Sequence, residues 1–209
     1  IGDYAFAYCG IENIAFPESL VKVGREAFTN SGLTKLDYPI ADMGIRAFGE
    51  CKNLSEVNIP SGVTVLPERV FEGCEQLKFL YIPDSIADFG DYVFFGCSRL
   101  IMITESDSLE SPAVQYAKKY GIMFSTEYWL SFVKTYEYTY EGINYYLVYN
   151  GWGTNIYSAV VLPGNYKFTG NVTIPETIRT EFGNFTVSKI GDLAFDGTDI
   201  TGIELPESI

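Results

Sequence analysis

The chain has 209 residues and a formal net charge of −13, nearly half of them are hydrophobic, and there is no histidine. The apolar content excludes a globally disordered chain, and the negative charge repels nucleic-acid backbones and anionic membrane surfaces. The missing histidine excludes Ser-His and Cys-His catalysis and every His-ligated metal site, and no apolar run reaches the ~20 residues needed to span a bilayer as a helix.

The first half of the chain is built on a repeat. "AFGECKNLSEVNIPSGV" (47–63) returns 23 residues later as "VFEGCEQLKFLYIPDSI" (70–86). Taking the phenylalanine of this pattern as an anchor gives Phe6, Phe28, Phe48, Phe71 and Phe94, then Phe195 after a long gap. The first five are 22, 20, 23 and 23 residues apart. Four residues before the anchor stands Gly2, Gly24, Gly44, Gly90 or Gly191, with Pro67 in the fourth unit. Both residue types suit a tight turn, glycine through positive φ and proline through its fixed φ.

Each unit also carries L-x-x-I-x-I: "IENIAF", "LTKLDY", "LSEVNI", "LKFLYI", "LIMIT" and "ITGIEL". The alternation predicts one short strand per unit. Proline follows it at Pro17, Pro39, Pro60, Pro83 and Pro206, but not in "LIMITESDS". A unit of this length cannot bury its apolar face alone, whereas stacked units can. The expected fold is a repeat solenoid of leucine-rich repeats with a parallel β-sheet on one face. Phe, Leu and Ile point inward and touch their counterparts one coil away.

The repeat "I-G-x-x-A-F-x-G-C-x-x-L-x-x-I-x-I-P-x-S-V" resembles the BspA-like leucine-rich repeats. "FGDYVFFGCSRLIMI" and "IGDLAFDGTDITGIELPESI" match it well. The resemblance covers residues 1–110 and 190–209. It implies a bacterial cell-surface or secreted protein that binds an extracellular or host protein, or a glycan, without catalysis and without a cofactor.

"ESPAVQYAKKYGIMF" (110–124) breaks the repeat. Ser111 suits an N-cap, Pro112 the first helical position, Lys118 and Lys119 the last turn, and Gly121 the end. A helix over about 112–120 is predicted, lying over the last coil and completing an array of residues 1–125. Residues 126–170 alternate Tyr with Glu and Thr and turn at "EGIN" and "NGWG". They predict a β-hairpin-rich connector. Residues 171–209 read as the start of a second array. The final "LPESI", two or three further residues and "IGDYAF" would make one more repeat, so the chain is expected to be a piece of a longer array.

Four cysteines, Cys9, Cys51, Cys74 and Cys97, occupy one slot three residues after the anchor. A ladder of one cysteine per coil does not converge on a metal, and buried free thiols are expected. The outward positions of the predicted sheet face are the main binding candidates: Asn13 and Ala15, Lys35 and Asp37, Glu56 and Asn58, Phe79 and Tyr81, Met102 and Thr104. Phe79, Tyr81 and Met102 would form an exposed apolar patch, unless the helix or the connector covers them. Two alternatives stand beside partner binding. The repeats could be a stalk or spacer presenting another domain, or the aromatic connector, with Trp152, could stack on sugar rings. Carboxylates are plentiful, but no pair has the spacing of a glycosidase site.

Overall fold

The computed structural model describes residues 1–39, 42–105, 108–126, 133–150, 156–164, 166, 168–180 and 183–209. The chain folds as two compact units, Ile1–Tyr128 and Trp129–Ile209.

In the first unit every repeat is closed by the same turn. The residues two before and two after the anchor have left-handed backbones: Tyr4 and Tyr8, Glu26 and Asn30, Arg46 and Glu50, Arg69 and Gly73. This conformation aims alternate N–H groups at the following repeat. Tyr4, Phe6 and Tyr8 donate to the carbonyls of Arg25, Ala27 and Thr29 at 2.9, 2.7 and 2.8 Å. Glu26, Phe28 and Asn30 do the same to Ile45, Ala47 and Gly49, and the ladder continues through Gly73 to Phe95. L-residues take positive φ only where the surroundings impose it, and here the ladder does so.

Inside the turns the anchor rings stack as expected. Phe6–Phe28, Phe28–Phe48, Phe48–Phe71 and Phe71–Phe94 have centroids 5.1, 5.4, 6.1 and 5.9 Å apart and planes within 16° of parallel. At those separations the rings are offset, the favoured arrangement for parallel aromatics. Phe28, Phe48 and Phe71 are fully buried. Each cysteine donates to a phenylalanine carbonyl: Cys51 to Phe28, Cys74 to Phe48 and Cys97 to Phe71, each in the preceding repeat, at 3.2–3.4 Å, and Cys9 to Phe6 of its own repeat at 2.8 Å. All four thiols are free, Cys9 half-buried and the others buried.

The recurring glycine has a different reason from the one its type alone indicates. Gly24, Gly44 and Gly90 do not have positive φ. Instead, a Cβ there would sit 2.5, 2.4 and 2.3 Å from the backbone nitrogens of Asp3, Arg25 and Glu68, each in the preceding repeat. Glycine is required by the close approach of two backbones.

Each middle repeat contributes two strands, where the sequence predicts one. β1 (Lys22–Val23), β3 (Asp42–Met43), β5 (Val65–Leu66) and β7 (Asp88–Phe89) are the unforeseen ones, pairing in parallel as β1–β3 and β5–β7. The predicted strands are β2 (Lys35–Asp37), β4 (Glu56–Asn58), β6 (Phe79–Ile82) and β8 (Ile101–Thr104). They too pair in parallel, but in small sheets: β2 with β4, and β6 with β8. β9 (Met123–Thr126) then adds to the far side of β8. Between the two kinds of strand the chain turns at proline, with Pro17, Pro60 and Pro83 accepting from Leu20, Val63 and Ile86 at 2.9–3.1 Å.

The register of β8 differs from the sequence reading. Leu80 pairs with Met102 and Ile82 with Thr104, so these two residues stand at inward positions. A one-residue shift moves every side chain to the other face. Because "IMI" is apolar throughout, alternation could not fix which face was which. Ile101, Met102, Ile103 and Thr104 are all buried, so Met102 and Thr104 are not exposed binding positions.

The helix forms where expected. α1 (Pro112–Lys119) starts after Ser111 with proline at its first turn, although the Ser111 hydroxyl makes no capping bond. It ends on Gly121 at φ 61°, with Ile122 donating to Ala117 at 2.8 Å and Gly121 to Lys118 at 3.4 Å. That is a Schellman closure. Its buried face, Ala113, Val114, Tyr116 and Ala117, lies on the last repeat. Tyr116 packs edge-on against Phe94 at 6.0 Å and stacks on Phe89 at 4.7 Å, so the helix terminates the phenylalanine stack.

The second unit has its own core, with Tyr145, Leu147, Ala159, Ile178, Phe185 and Val187 at its centre. β10 (Val133–Tyr140) and β11 (Ile143–Asn150) form the predicted hairpin. Its two-residue turn, Glu141–Gly142, has φ of 50° and 81°, as a type I′ turn requires. β12 (Ile156–Val161) continues the meander and pairs in parallel with β15 (Gly183–Ile190), which also takes β14 (Thr177–Thr180). β13 (Thr169–Thr173) pairs in parallel with β16 (Asp199–Glu204), which contains the predicted "ITGIEL" strand. The second predicted turn, "NGWG", falls largely on residues 151–153, outside the described residues.

Candidate binding face

The outward positions of β2, β4 and β6 are exposed, as the alternation predicts. They fall into two regions of different chemistry. On β2 and β4 the side chains satisfy each other. Lys35 Nζ lies 2.9 Å from Glu56 Oε2, and Asn58 Nδ2 donates to Asp37 Oδ1 at 3.4 Å, each pair directly opposite in the register. The hydrogen bond and charge of Glu56 hold the Lys35 ammonium above its ordinary pKa. Exposed pairs of this kind are screened by solvent and contribute little to the stability of a sheet. Asn13 and Ala15, one repeat earlier, are exposed but belong to no strand.

On β6 the outward residues are aromatic. Phe79 is 39% and Tyr81 41% exposed. Being two residues apart on one strand, they are separated by roughly 6.6 Å along the backbone. The alternation on β6 leaves no choice about this. Leu80 and Ile82 fill the core, so Phe79 and Tyr81 must face away from it. The Tyr81 hydroxyl donates to Glu105 Oε1 at 2.5 Å, and the Asp84 N–H reaches the same oxygen at 3.5 Å. The Tyr81 bond, then the Asp84 N–H, hold the Glu105 carboxyl below the usual range. Desolvation, then the charge of Glu105, push the neighbouring Asp84 carboxyl up.

Glu105 escapes a reading based on strand alternation. It follows Thr104, which pairs with Ile82, so it occupies the slot that Pro83 fills one repeat earlier. Its signal is the missing proline in "LIMITESDS". The face therefore joins two exposed rings to a carboxylate that fixes one of them. Met102 and Thr104 take no part in it, being buried.

The other candidates separate clearly. In the second unit Tyr145 and Tyr146 are buried, and Tyr136, Tyr138, Tyr140 and Tyr149 are partly buried against the core. Trp152 lies outside the described residues. Among the described residues no group of His, Cys, Asp or Glu is placed to hold a metal ion. Among them, too, no helix is long and apolar enough to cross a membrane.

Comparison with known proteins agrees with the repeat. A family model described as BspA type leucine rich repeat region matches residues 1–111 in six copies. No curated protein matches the chain. Two solved structures are similar along its whole length. A leucine-rich repeat protein from Bacteroides ovatus ATCC 8483 is 17% identical with a TM-score of 0.47. A leucine rich cell surface protein from Faecalibacterium prausnitzii A2-165 is 15% identical with a TM-score of 0.28. The chain spans 52% of the first and 59% of the second. With more than half its length matched by the six-copy repeat, this chain belongs to the BspA type leucine-rich repeat family.

Proposed function

We propose that the chain is a non-catalytic surface or secreted module that binds a protein or glycan through the outward face of its sheet strands, with Phe79 and Tyr81 as the energetic centre. In this reading the repeats stack as a solenoid, and their parallel strands present a continuous recognition face. The observation that carries it is the exposure of two large rings side by side on β6, while β2 and β4 carry self-satisfied polar pairs. Interfaces draw most of their energy from a few such aromatic anchors, with the polar surroundings excluding water. Glu105 lowers the ordering cost of binding by holding the Tyr81 ring in place beforehand. Lys35, Asp37, Glu56 and Asn58 form the polar rim.

The test is a binding panel of extracellular-matrix proteins and glycans against the wild-type chain and the Phe79→Ala/Tyr81→Ala variant. The reading predicts saturable binding that falls at least tenfold in the variant while the melting curve is unchanged. Binding that survives the double substitution overturns it, and the absence of saturable binding favours a spacer.

A further inference from the structure

We infer that the crease between β3 and β5 is a binding site for a cationic amine on a short aliphatic stem, the chemistry shared by a lysine side chain and a free diamine. The crease uses no residue of β2, β4 or β6, and binding there does not depend on what those strands bind.

Three departures from the repeat open the crease. The first is a deletion. Six residues separate the proline from the glycine slot in Pro17 to Gly24, Pro60 to Pro67 and Pro83 to Gly90, but only four separate Pro39 from Gly44. In the longer segments the third residue after the proline donates back to it, closing a turn. After Pro39 the third residue is Asp42, which donates instead to Val21 at 3.1 Å, so that turn does not form. The second departure is Gly62. In the following repeat the Ser85 hydroxyl reaches back to the Val63 carbonyl at 2.8 Å. Gly62 holds the same slot and has no side chain to reach back with.

The third departure is Pro67, which stands where the other repeats have glycine. Gly44 donates to the Val23 carbonyl and Gly90 to the Leu66 carbonyl, each at 2.8 Å, and these bonds close the β1–β3 and β5–β7 pairs. Proline has no N–H, so the Met43 carbonyl is left without the donor its counterparts have. Proline also carries the Cβ that the close approach of backbones at this slot forbids at Gly44 and Gly90. β3 and β5 accordingly belong to separate sheets.

Between them lies an open notch of about 380 Å³, with Asp42 and Met43 from one repeat and Val63, Thr64, Val65 and Pro67 from the next. That is the size of a small-ligand pocket. Its polar groups are acceptors: the Asp42 carboxylate and the Met43 carbonyl. Asp88, exposed and directly opposite Val65 in the β5–β7 register, adds a second carboxylate beside it. Lys22 approaches Asp42 only to 3.8 Å, with both side chains mostly exposed, so this pair is screened and readily exchanged for another cation. Val65, 47% exposed, and Met43 supply apolar surface along which an aliphatic stem can lie. Acceptors without donors, in a chain of net charge −13, select a cation that donates hydrogen bonds.

Amide NMR titration of the whole chain with cadaverine and, separately, with Nα-acetyl-lysinamide tests this. Saturable shifts are expected at Met43, Gly62 and Val65. Tighter binding of Nα-acetyl-lysinamide assigns the site to protein side chains, and tighter binding of cadaverine assigns it to free amines; either supports the site. Asp42→Asn is expected to weaken binding about fivefold with the melting curve unchanged. Pro67→Gly restores the missing donor to Met43 and permits the close approach, so it is expected to close the notch and abolish the shifts. General attraction of cations to an acidic surface would not respond to Pro67→Gly, because that substitution changes no charge. Absence of saturable shifts with both amines overturns the inference, and so does unchanged affinity in both variants.

Discussion

Truncating Phe48 tests whether the aromatic stack holds the array together. Phe48 has no exposed surface and meets four rings: Phe28 at 5.4 Å, Phe71 at 6.1 Å, Tyr38 at 6.0 Å and Phe16 at 6.4 Å. Phe48→Ala removes its burial and leaves a cavity between two repeats, which costs about 3–5 kcal/mol. The four lost ring contacts place it at the upper end, near about 5 kcal/mol. Phe6 occupies the same slot in the first repeat, is 36% exposed, and among the described residues has one ring neighbour, Phe28. Phe6→Ala forfeits roughly two thirds of the ~1.5–3 kcal/mol that burying a phenylalanine contributes, or about 1–2 kcal/mol. In a repeat protein each interface adds to stability nearly separately. Phe48 serves two interfaces and Phe6 one, so the variants should differ by about 3 kcal/mol. Guanidinium unfolding followed by circular dichroism measures the difference. Equal costs for the two variants would refute the stack as the source of cohesion.

Three further outcomes follow from the geometry. Gly44→Ala places a methyl 2.4 Å from the Arg25 nitrogen and should cost at least about 2 kcal/mol in a denaturant melt, whereas Gly2→Ala, which meets nothing, should change stability by under about 0.5 kcal/mol. All four cysteines should titrate as thiols after denaturation; in the native chain half-buried Cys9 should react first, and Cys51 and Cys74, whose thiols burial pushes up in pKa, should react slowly. The hydrogen bond from Tyr120, then that from Lys119, lowers the Asp91 carboxyl below its ordinary 3.8. A depressed carboxylate stabilises fully above its unfolded pKa and loses that contribution as pH falls through its folded one, so the end of α1 should loosen only in strong acid. Carboxyl NMR should show the Asp91 midpoint moving up toward 3.8 in Tyr120→Phe.

Much of the array is legible in its sequence because one periodicity dominates it. The spacing of Phe28, Phe48 and Phe71 predicts the stack, and Ser111, Pro112 and Gly121 delimit α1 within a residue. What escaped has physical causes. The strands β1, β3, β5 and β7 are only two residues long, too short for alternation to register. The glycine slot reads as a turn residue because a single sequence cannot show that another backbone lies against it. The β8 register is ambiguous because an apolar run fits either face, and that ambiguity placed Met102 and Thr104 on the surface. In the second unit the "EGIN" hairpin is local and readable. The parallel pairing of β12 with β15 joins segments about 28 residues apart, and no local pattern encodes it. At the candidate face, Phe79 and Tyr81 are legible from alternation, whereas Glu105 is reached only through the tertiary register.

Binding through the sheet face is tested most directly by position-specific cross-linking. A photoreactive phenylalanine analogue is placed at Phe79 in one sample and at Tyr92 in another. Tyr92 is 45% exposed and sits on a repeat turn, in no strand. Each sample is irradiated with the matrix protein or glycan that the wild-type chain binds. The account predicts a covalent adduct from position 79 and none from position 92. Adducts from position 92 alone, or equally from both, would contradict it.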